Sequence, residues 1–436
     1  MLSSACASEA LELTSVAAIG DSSSVLAWLS IDGKKILFAR VLRTFAYGYL
    51  TVVLALYLDR LGLDPTRIGV VLTAAIAGST LMTVFWSVVA DRYGRRRTVA
   101  TMAALMILGG LIFAVADSFW LLLLGAFTGT ISATSSEVGV FQTVDQAILP
   151  QTAPNERRTW VFSIYNTSAS FAQALGSLGA GSVALFTAQG LAGADAYRPL
   201  FVLYAIIGLA NLVLFLTLSD RVELAHVEGE RRFLGVHRHR STVAKLSALF
   251  ALDAFAGGLV VQSIVAYWFF LRWGVPLADL AILFFWVGLL SGLSLLVAGW
   301  LARRIGLLNT MVFTHLPSQV GLVLVPLAPT ATLAIAFYVL RMSLSQMDVP
   351  TRQSYTMAVV DPDERTATAG ITNVARTAAA ALSPSVTGLA FSAAALGAPF
   401  FIAGGLKIAY DLLIYATFRK VRPPEELART RASETA

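Results

Sequence analysis

The sequence predicts an all-α polytopic membrane protein with twelve transmembrane helices in two six-helix bundles related by an internal repeat. Three observations lead there. Of 436 residues, 57% are apolar and 13% charged, against about 25% charged in a soluble globular chain. The apolar residues gather into twelve stretches of the ~20 residues that a ~30 Å hydrocarbon core demands of a helix. Two loops also recur at nearly one spacing along the chain. The long runs lack period-2 alternation, and every backbone amide in hydrocarbon needs an internal partner, so helices are favoured over a barrel.

Taken in order, residues 1–35 lack the basic-then-apolar order of a signal peptide and are expected to form a cytoplasmic tail. The single cysteine, Cys6, excludes an internal disulfide and a cysteine metal cluster. Spans at 36–58, 68–90, 98–116, 119–147, 159–185 and 199–218 make a first bundle, 36–219. Residues 220–241 are the longest interior polar stretch and read as a cytoplasmic linker. Spans at 242–270, 278–302, 309–328, 331–359, 367–393 and 398–417 make a second bundle, 242–418, followed by a cytoplasmic tail, 419–436. Arg92, Arg95, Arg96, Arg97, Arg157, Arg158, Arg303, Arg304, Arg419 and Lys420 fall in the termini and alternate loops of one side, and Arg60, Arg67, Arg198 and Arg272 on the other. The positive-inside rule then puts both termini in the cytoplasm. The net charge of +6 is mostly this asymmetry, which fits anionic lipid headgroups and not nucleic acid.

The repeat lies in two loops. Ser87-Val-Val-Ala-Asp91-Arg92-Tyr-Gly94-Arg95-Arg96-Arg97 aligns without a gap with Gly299-Trp-Leu-Ala-Arg303-Arg304-Ile-Gly306-Leu-Leu, so that Gly94 falls on Gly306. Pro154-Asn-Glu156-Arg157 echoes Pro362-Asp-Glu364-Arg365 at nearly the same offset. Matched loops at one offset imply a duplicated six-helix unit, as in secondary transporters whose substrate sites lie at the repeat interface. At these residues the sequence resembles the major facilitator superfamily, whose signature between helices 2 and 3 is G-x-x-x-D-R-x-G-R-[RK]. Asp91, Arg92, Gly94, Arg95 and Arg96 match it, with Ser87 in place of the first glycine. In the second half Gly299, Arg304 and Gly306 match, and Arg303 replaces the acid. The resemblance covers residues 36 to 418. The segment from Ser345 to Gln353 is similar to a prokaryotic subgroup, and span 5 has Gly176, Gly179 and Gly181 without the Gly-Pro pair of the antiporter signature.

In this loop Asp91 near a helix terminus is suited to accept from exposed amides of a neighbouring helix in one rocking state and to lose them in the other. Gly94 permits a tight turn, and Arg95 is suited to reach a carboxylate. The resemblance implies that it approaches the inner end of span 4, where Asp145 stands.

Arg43, Arg341, Arg352, Arg376 and Lys407 lie within the spans, against Glu137, Asp145, Asp253, Asp348 and Asp411. Each charge costs at least ~2.5–3.5 kcal/mol on insertion scales, so they are expected to face one another or a water-filled cavity. Helical spacing groups Arg40, Arg43, Thr44 and Tyr47 in span 1, Thr130, Thr134, Glu137, Phe141 and Asp145 in span 4, and Arg341, Ser345, Asp348 and Arg352 in span 10, where Pro350 bends the helix. Span 7 offers Asp253, Gly257 and Tyr267. The resemblance implies that helices 1, 4, 7 and 10 line a central cavity. Depth along the spans pairs Asp253 with Arg341 near the midplane and makes Glu137 a candidate proton carrier. Lys407 and Asp411, one turn apart, are expected to satisfy each other. His315 reads as a hydrogen-bonded core group, and Arg376 as a cavity residue.

No lysine sits in G-x-x-x-x-G-K-[ST], and neither H-E-x-x-H nor G-x-S-x-G occurs. A pump driven by nucleotide and an enzyme are thereby disfavoured, and no metal or cofactor is implied. The expectation is a monomeric, proton-coupled secondary transporter of a small organic solute in a bacterial or archaeal cytoplasmic membrane. It works by alternating access, with export slightly favoured over import. A facilitative uniporter, a channel, or a receptor or scaffold on the same fold are the competing readings.

Overall fold

The computed structural model describes residues 28–134, 139–154, 158–223, 238–361 and 364–421, among which there is no strand. Helix α1 runs Ile31–Arg60 and begins where the Ser30 hydroxyl accepts from the Gly33 amide at 3.2 Å. Helix α2, Pro65–Tyr93, starts from Asp64, which accepts from the Arg67 amide, with Pro65 at a position that needs no amide hydrogen. Helix α3 is Arg95–Val115. Span 4 gives two helices, α4 at Phe119–Phe127 and α5 at Val140–Ile148. Helix α6, Arg158–Gly179, passes through a 3-10 turn into α7, Val183–Ala188, and α8 is Arg198–Leu216. The second half comprises α9 at Arg240–Gly258, α10 at Gln262–Trp273, α11 at Leu277–Ile305 and α12 at Leu307–Leu324. It ends with α13 at Ala331–Ser345, α14 at Asp348–Ala358, α15 at Arg365–Ser392 and α16 at Ala398–Phe418.

These helices make twelve crossings in two six-span bundles. Nine helical segments among the described residues are long and apolar enough to cross a membrane by themselves. Spans 4 and 10 fall outside that set because each is split, and span 11 because α15 is diluted with Thr, Ser, Asn and Arg.

The repeat is visible in the backbone. Gly94 (φ 102°, ψ 135°) and Gly306 (φ 89°, ψ 163°) each sit between two helices, and each returns its amide to the carbonyl four residues earlier, Ala90 or Ala302. A side chain is strained at either φ, so the aligned glycines have the same conformational task. The first bundle holds α1 against α6 and α8, and α3 against α8; the second holds α9 against α15 and α16, and α12 against α13 and α16. Between the bundles α2 packs on α15, α6 on α11 and α1 on α10. With an even number of crossings, both described chain ends lie at one end of the molecule with Gly94 and Gly306. We refer to this end as the terminal face, and to the end with the turns at Gly62 and Gly274 as the distal face.

Three spans expected to be continuous are interrupted. In span 10 the break at Gln346–Met347 follows from Pro350, which has no amide hydrogen for the Gln346 carbonyl and whose ring crowds it. In span 7 the chain leaves helix after Gly257-Gly258, with Val261 extended at ψ 156°. In span 4 α4 ends at Phe127 and the described residues 128–134 and Gly139 are not helical, with Gly129 (φ 72°) and Gly139 (φ 141°) in conformations that side chains resist. The helical stripe expected from Thr130 to Asp145 is therefore not one face of one helix.

Candidate functional site

A cavity of about 990 Å³ lies between the two bundles. Its first-bundle wall is made of uncharged polar and apolar groups among the described residues, including Tyr47, Ser79, Thr80, Thr83, Gln142 and Gln146. The second-bundle wall carries Asp253, Arg341, Asp348, Arg352, Arg376 and Lys407. All three helix breaks open onto it, through Gly129–Thr134, Val260–Gln262 and Gln346. That is where a membrane protein tolerates non-helical backbone, because the freed amides and carbonyls meet a polar space and not lipid.

The distal end of the cavity is closed by hydrogen bonds between the bundles. Gln262 Nε2 donates to Thr51 Oγ1 (2.9 Å), Ser263 Oγ to the Ala133 carbonyl (3.2 Å) and Tyr267 OH to Asp59 (2.8 Å). Nearer the surface Thr66 meets Ser392 (2.7 Å), and Thr73 Oγ1 accepts from the Ser385 amide (3.1 Å). There α2 and α15 touch backbone to backbone: a methyl on Gly388 runs into the Pro65 carbonyl, and one on Gly69 into that of Pro384. Toward the terminal face the walls continue through Gln146, Gln353 and Met357.

Gly388→Val should therefore force α2 and α15 apart at the distal face. Overpacking of this kind costs about 1–3 kcal/mol, enough to shift a two-state equilibrium roughly fivefold to a hundredfold. A cysteine at position 385, labelled by an impermeant maleimide applied at the distal face, should react faster by about that factor in the Gly388→Val background. Unchanged labelling would dismiss this crossing as a seal.

Within the second bundle one carboxylate gathers most of the charge. Asp253 Oδ1 accepts from Lys407 Nζ at 2.5 Å, and its Oδ2 lies 3.3 Å from Arg352 Nη1 and 3.9 Å from Arg376. Arg352 Nη1 is also 2.6 Å from Asp348, one turn back on α14, where the carboxylate sits favourably in the first turn. His315 Nδ1 is 2.9 Å from Asp411 Oδ1, and the ring lines the cavity. Two expected pairs are thereby corrected. Asp253 pairs with Lys407 and Arg352 instead of Arg341, and Lys407 and Asp411 reach different neighbouring helices instead of each other. Depth and one-turn spacing set height on a helix but do not choose between partners across the bundle. Arg341 packs its Cβ against Gly321 (3.3 Å from a methyl built there) and donates to the Met342 sulfur at 2.8 Å.

The first bundle has a matching cluster at a different place. Arg43 and Asp145, both fully buried, meet at 2.6 Å, and Arg43 also donates to Asn211 at 3.0 Å. Tyr165 OH is 3.2 Å from Asp145, and Arg40 donates to Tyr165 at 2.6 Å. The Arg43 guanidinium lies 4.4 Å over the Phe141 ring. None of Arg40, Arg43 and Asp145 lines the cavity, whereas Tyr47, one turn further along α1, does. The span 1 stripe thus turns its arginines into its own bundle and its tyrosine toward the space between bundles.

At the signature loop, Glu223 caps the start of α3 by accepting from the Arg95 amide (2.7 Å) and the Arg96 amide (3.1 Å). Arg95 is buried and donates to the Ala147 carbonyl (3.3 Å) near the end of α5, and Asp145, the carboxylate expected there, is held by Arg43. Arg92 is exposed, and Arg304 stacks 4.4 Å over the Trp300 ring. Glu137 and the side chain of Asp91 lie outside the described residues. Glu223 and the partner roles of Asn211 and Tyr165 had no local signal in the sequence, because each depends on which helices become neighbours.

A polar cavity between two repeated six-span bundles defines an integral membrane protein of the twelve-helix transporter class. The chain belongs to the Major Facilitator Superfamily, whose family model matches residues 36–384. It is 28% identical over 418 residues to the uncharacterized membrane protein YJR124C of Saccharomyces cerevisiae, covering 88% of this chain and 93% of that one. It is 27% identical over 213 residues to the multidrug resistance protein MdtG of Dickeya zeae, covering 46% of this chain and about half of that relative, 48%. Among solved structures, a variant of the nucleoside transporter NupG superposes with a TM-score of 0.73 at 12% identity, covering 89% of this chain and 100% of that one.

Proposed function

We propose that this protein is a secondary active transporter that moves a small organic solute by alternating access, coupled to protons, with both termini in the cytoplasm. The observation that carries the reading is the cavity between the bundles, walled by ionised groups on one side and held shut at the distal face by hydroxyl and amide contacts. Charges at membrane depth are costly and persist where they serve a solute or ion path. The basic residues at the terminal face, Arg92, Arg95, Arg96, Arg97, Arg303 and Arg304, support a cytoplasmic assignment for that face, so the described state is open inward. Proton coupling is supported by His315, which borders the cavity 2.9 Å from Asp411 and near the Lys407–Asp253 pair, since ionisable groups gathered at membrane depth mark ion and proton paths. Export is favoured slightly over import by the half-length likeness to a multidrug resistance protein.

The test begins with an untargeted metabolite comparison between strains lacking and overproducing the protein, which supplies the solute. Reconstituted protein should then show saturable flux that solute on the opposite face accelerates, and an imposed pH gradient should drive accumulation. His315→Gln should keep the exchange and lose the gradient-driven component. A pH-gradient response equal to that of the natural protein would remove His315 from the coupling, and unsaturable flux without exchange would point to a pore.

A further inference from the structure

Two guanidinium groups in the cavity wall have donors that the protein leaves unused. Arg341 is 92% buried by its 8% exposure, yet its Nε has no acceptor and its Nη1 is offered a thioether sulfur, a weak acceptor. Arg376 Nη1 is likewise buried without a hydrogen-bond partner, and its carboxylate neighbour Asp253 is 3.9 Å away and already engaged by Lys407 and Arg352. Buried arginine is normally paired, because an uncompensated charge out of water is costly. Asp348, the other carboxylate on the wall, is taken by Arg352. The opposite wall carries no charge among the described residues. The wall therefore holds more cations than carboxylates, and a cationic solute finds no free carboxylate on it among the described residues.

We propose that the cavity takes a small organic anion whose carboxylate or phosphoryl oxygens are bound by the Arg341 guanidinium, with Arg376 as the second donor. A planar guanidinium presents paired N–H groups that match two acid oxygens, so the solute completes a site the protein leaves short of acceptors. The inference rests on the cavity being the transport site, and it adds the chemical class of the solute.

The experiment uses the full chain in lipid nanodiscs, with succinate as the carboxylate probe, glycerol 3-phosphate as the phosphoryl probe, and glycerol and choline as controls at matched ionic strength. At least one acid probe should raise Tm where the controls do not, and which one does so distinguishes the two acid groups. Arg341→Gln should weaken that probe's affinity roughly tenfold to a hundredfold, with Arg341→Lys intermediate because it keeps charge without the paired donors. Without ligand, Arg341→Gln should melt at or above the natural protein, since it removes a buried charge that has no carboxylate in contact with it among the described residues. A Tm several degrees lower for that unliganded variant would make Arg341 structural and overturn the proposal. So would stabilisation by glycerol or choline alone, or by none of the four. Saturable exchange of choline or glycerol in proteoliposomes would keep the carrier and remove the anion; acid binding without exchange of any kind would do the reverse.

Discussion

Asp253→Asn is expected to abolish solute accumulation and to destabilise the second bundle by about 3–5 kcal/mol, the range for removing one partner of a buried ion pair. The size follows from what the carboxylate holds. Lys407 at 2.5 Å, Arg352 at 3.3 Å and Arg376 at 3.9 Å converge on it from α16, α14 and α15, so its loss leaves three cations facing one another with Asp348 as the remaining carboxylate in contact. Adding Lys407→Met to Asp253→Asn removes one of those cations and should return part of the lost Tm without returning transport. Melting in nanodiscs and counterflow in proteoliposomes measure the two quantities separately. Full exchange activity in the single variant would mean that this carboxylate serves packing alone.

Arg43→Met should be comparably severe for folding, for a different reason. It removes the guanidinium that meets Asp145 at 2.6 Å where the carboxylate has zero exposure, again at a cost of about 3–5 kcal/mol. Replacing both partners, as Arg43→Met with Asp145→Leu, should come close to the natural stability, because well-packed apolar groups substitute for a buried pair at little net cost. The double variant should also transport, since neither residue lines the cavity. Should it fold and fail to transport, the pair would belong to the mechanism.

Of the charges the sequence placed within the spans, Arg43, Asp145, Asp253, Arg341, Asp348, Arg352, Lys407 and Asp411 are buried, and the repeat was legible as well, because both depend on composition and short motifs. Gly94 and Gly306 illustrate this: one alignment of loops anticipated two backbone conformations. Partner choice was illegible. Asp253 and Arg341 share a depth, but Lys407 from α16 occupies the carboxylate, and that depends on how helices rotate against one another. The break in span 10 was partly legible through Pro350. The one in span 4 was hidden by a run apolar enough to pass for helix, with Gly129 as its local signal. His315, read as a core group, does bond Asp411, but it also borders the cavity, a placement no periodicity encodes.

The ionic clusters are each stitched within a single bundle, Arg43 to Asp145 in one and Asp253 to Lys407 and Arg352 in the other, whereas the described distal contacts between bundles are made by Thr, Ser, Gln and Tyr, with Asp59 as a charged acceptor. Parting the bundles there breaks neutral bonds worth about 0.5–1.5 kcal/mol each and one to the Asp59 carboxylate worth about 1.5–3 kcal/mol, and separates no ion pair among the described contacts. The balance between the two orientations should then be nearly indifferent to ionic strength, and lesions in the two clusters should add in their thermodynamic effect, as expected of sites that share no partner.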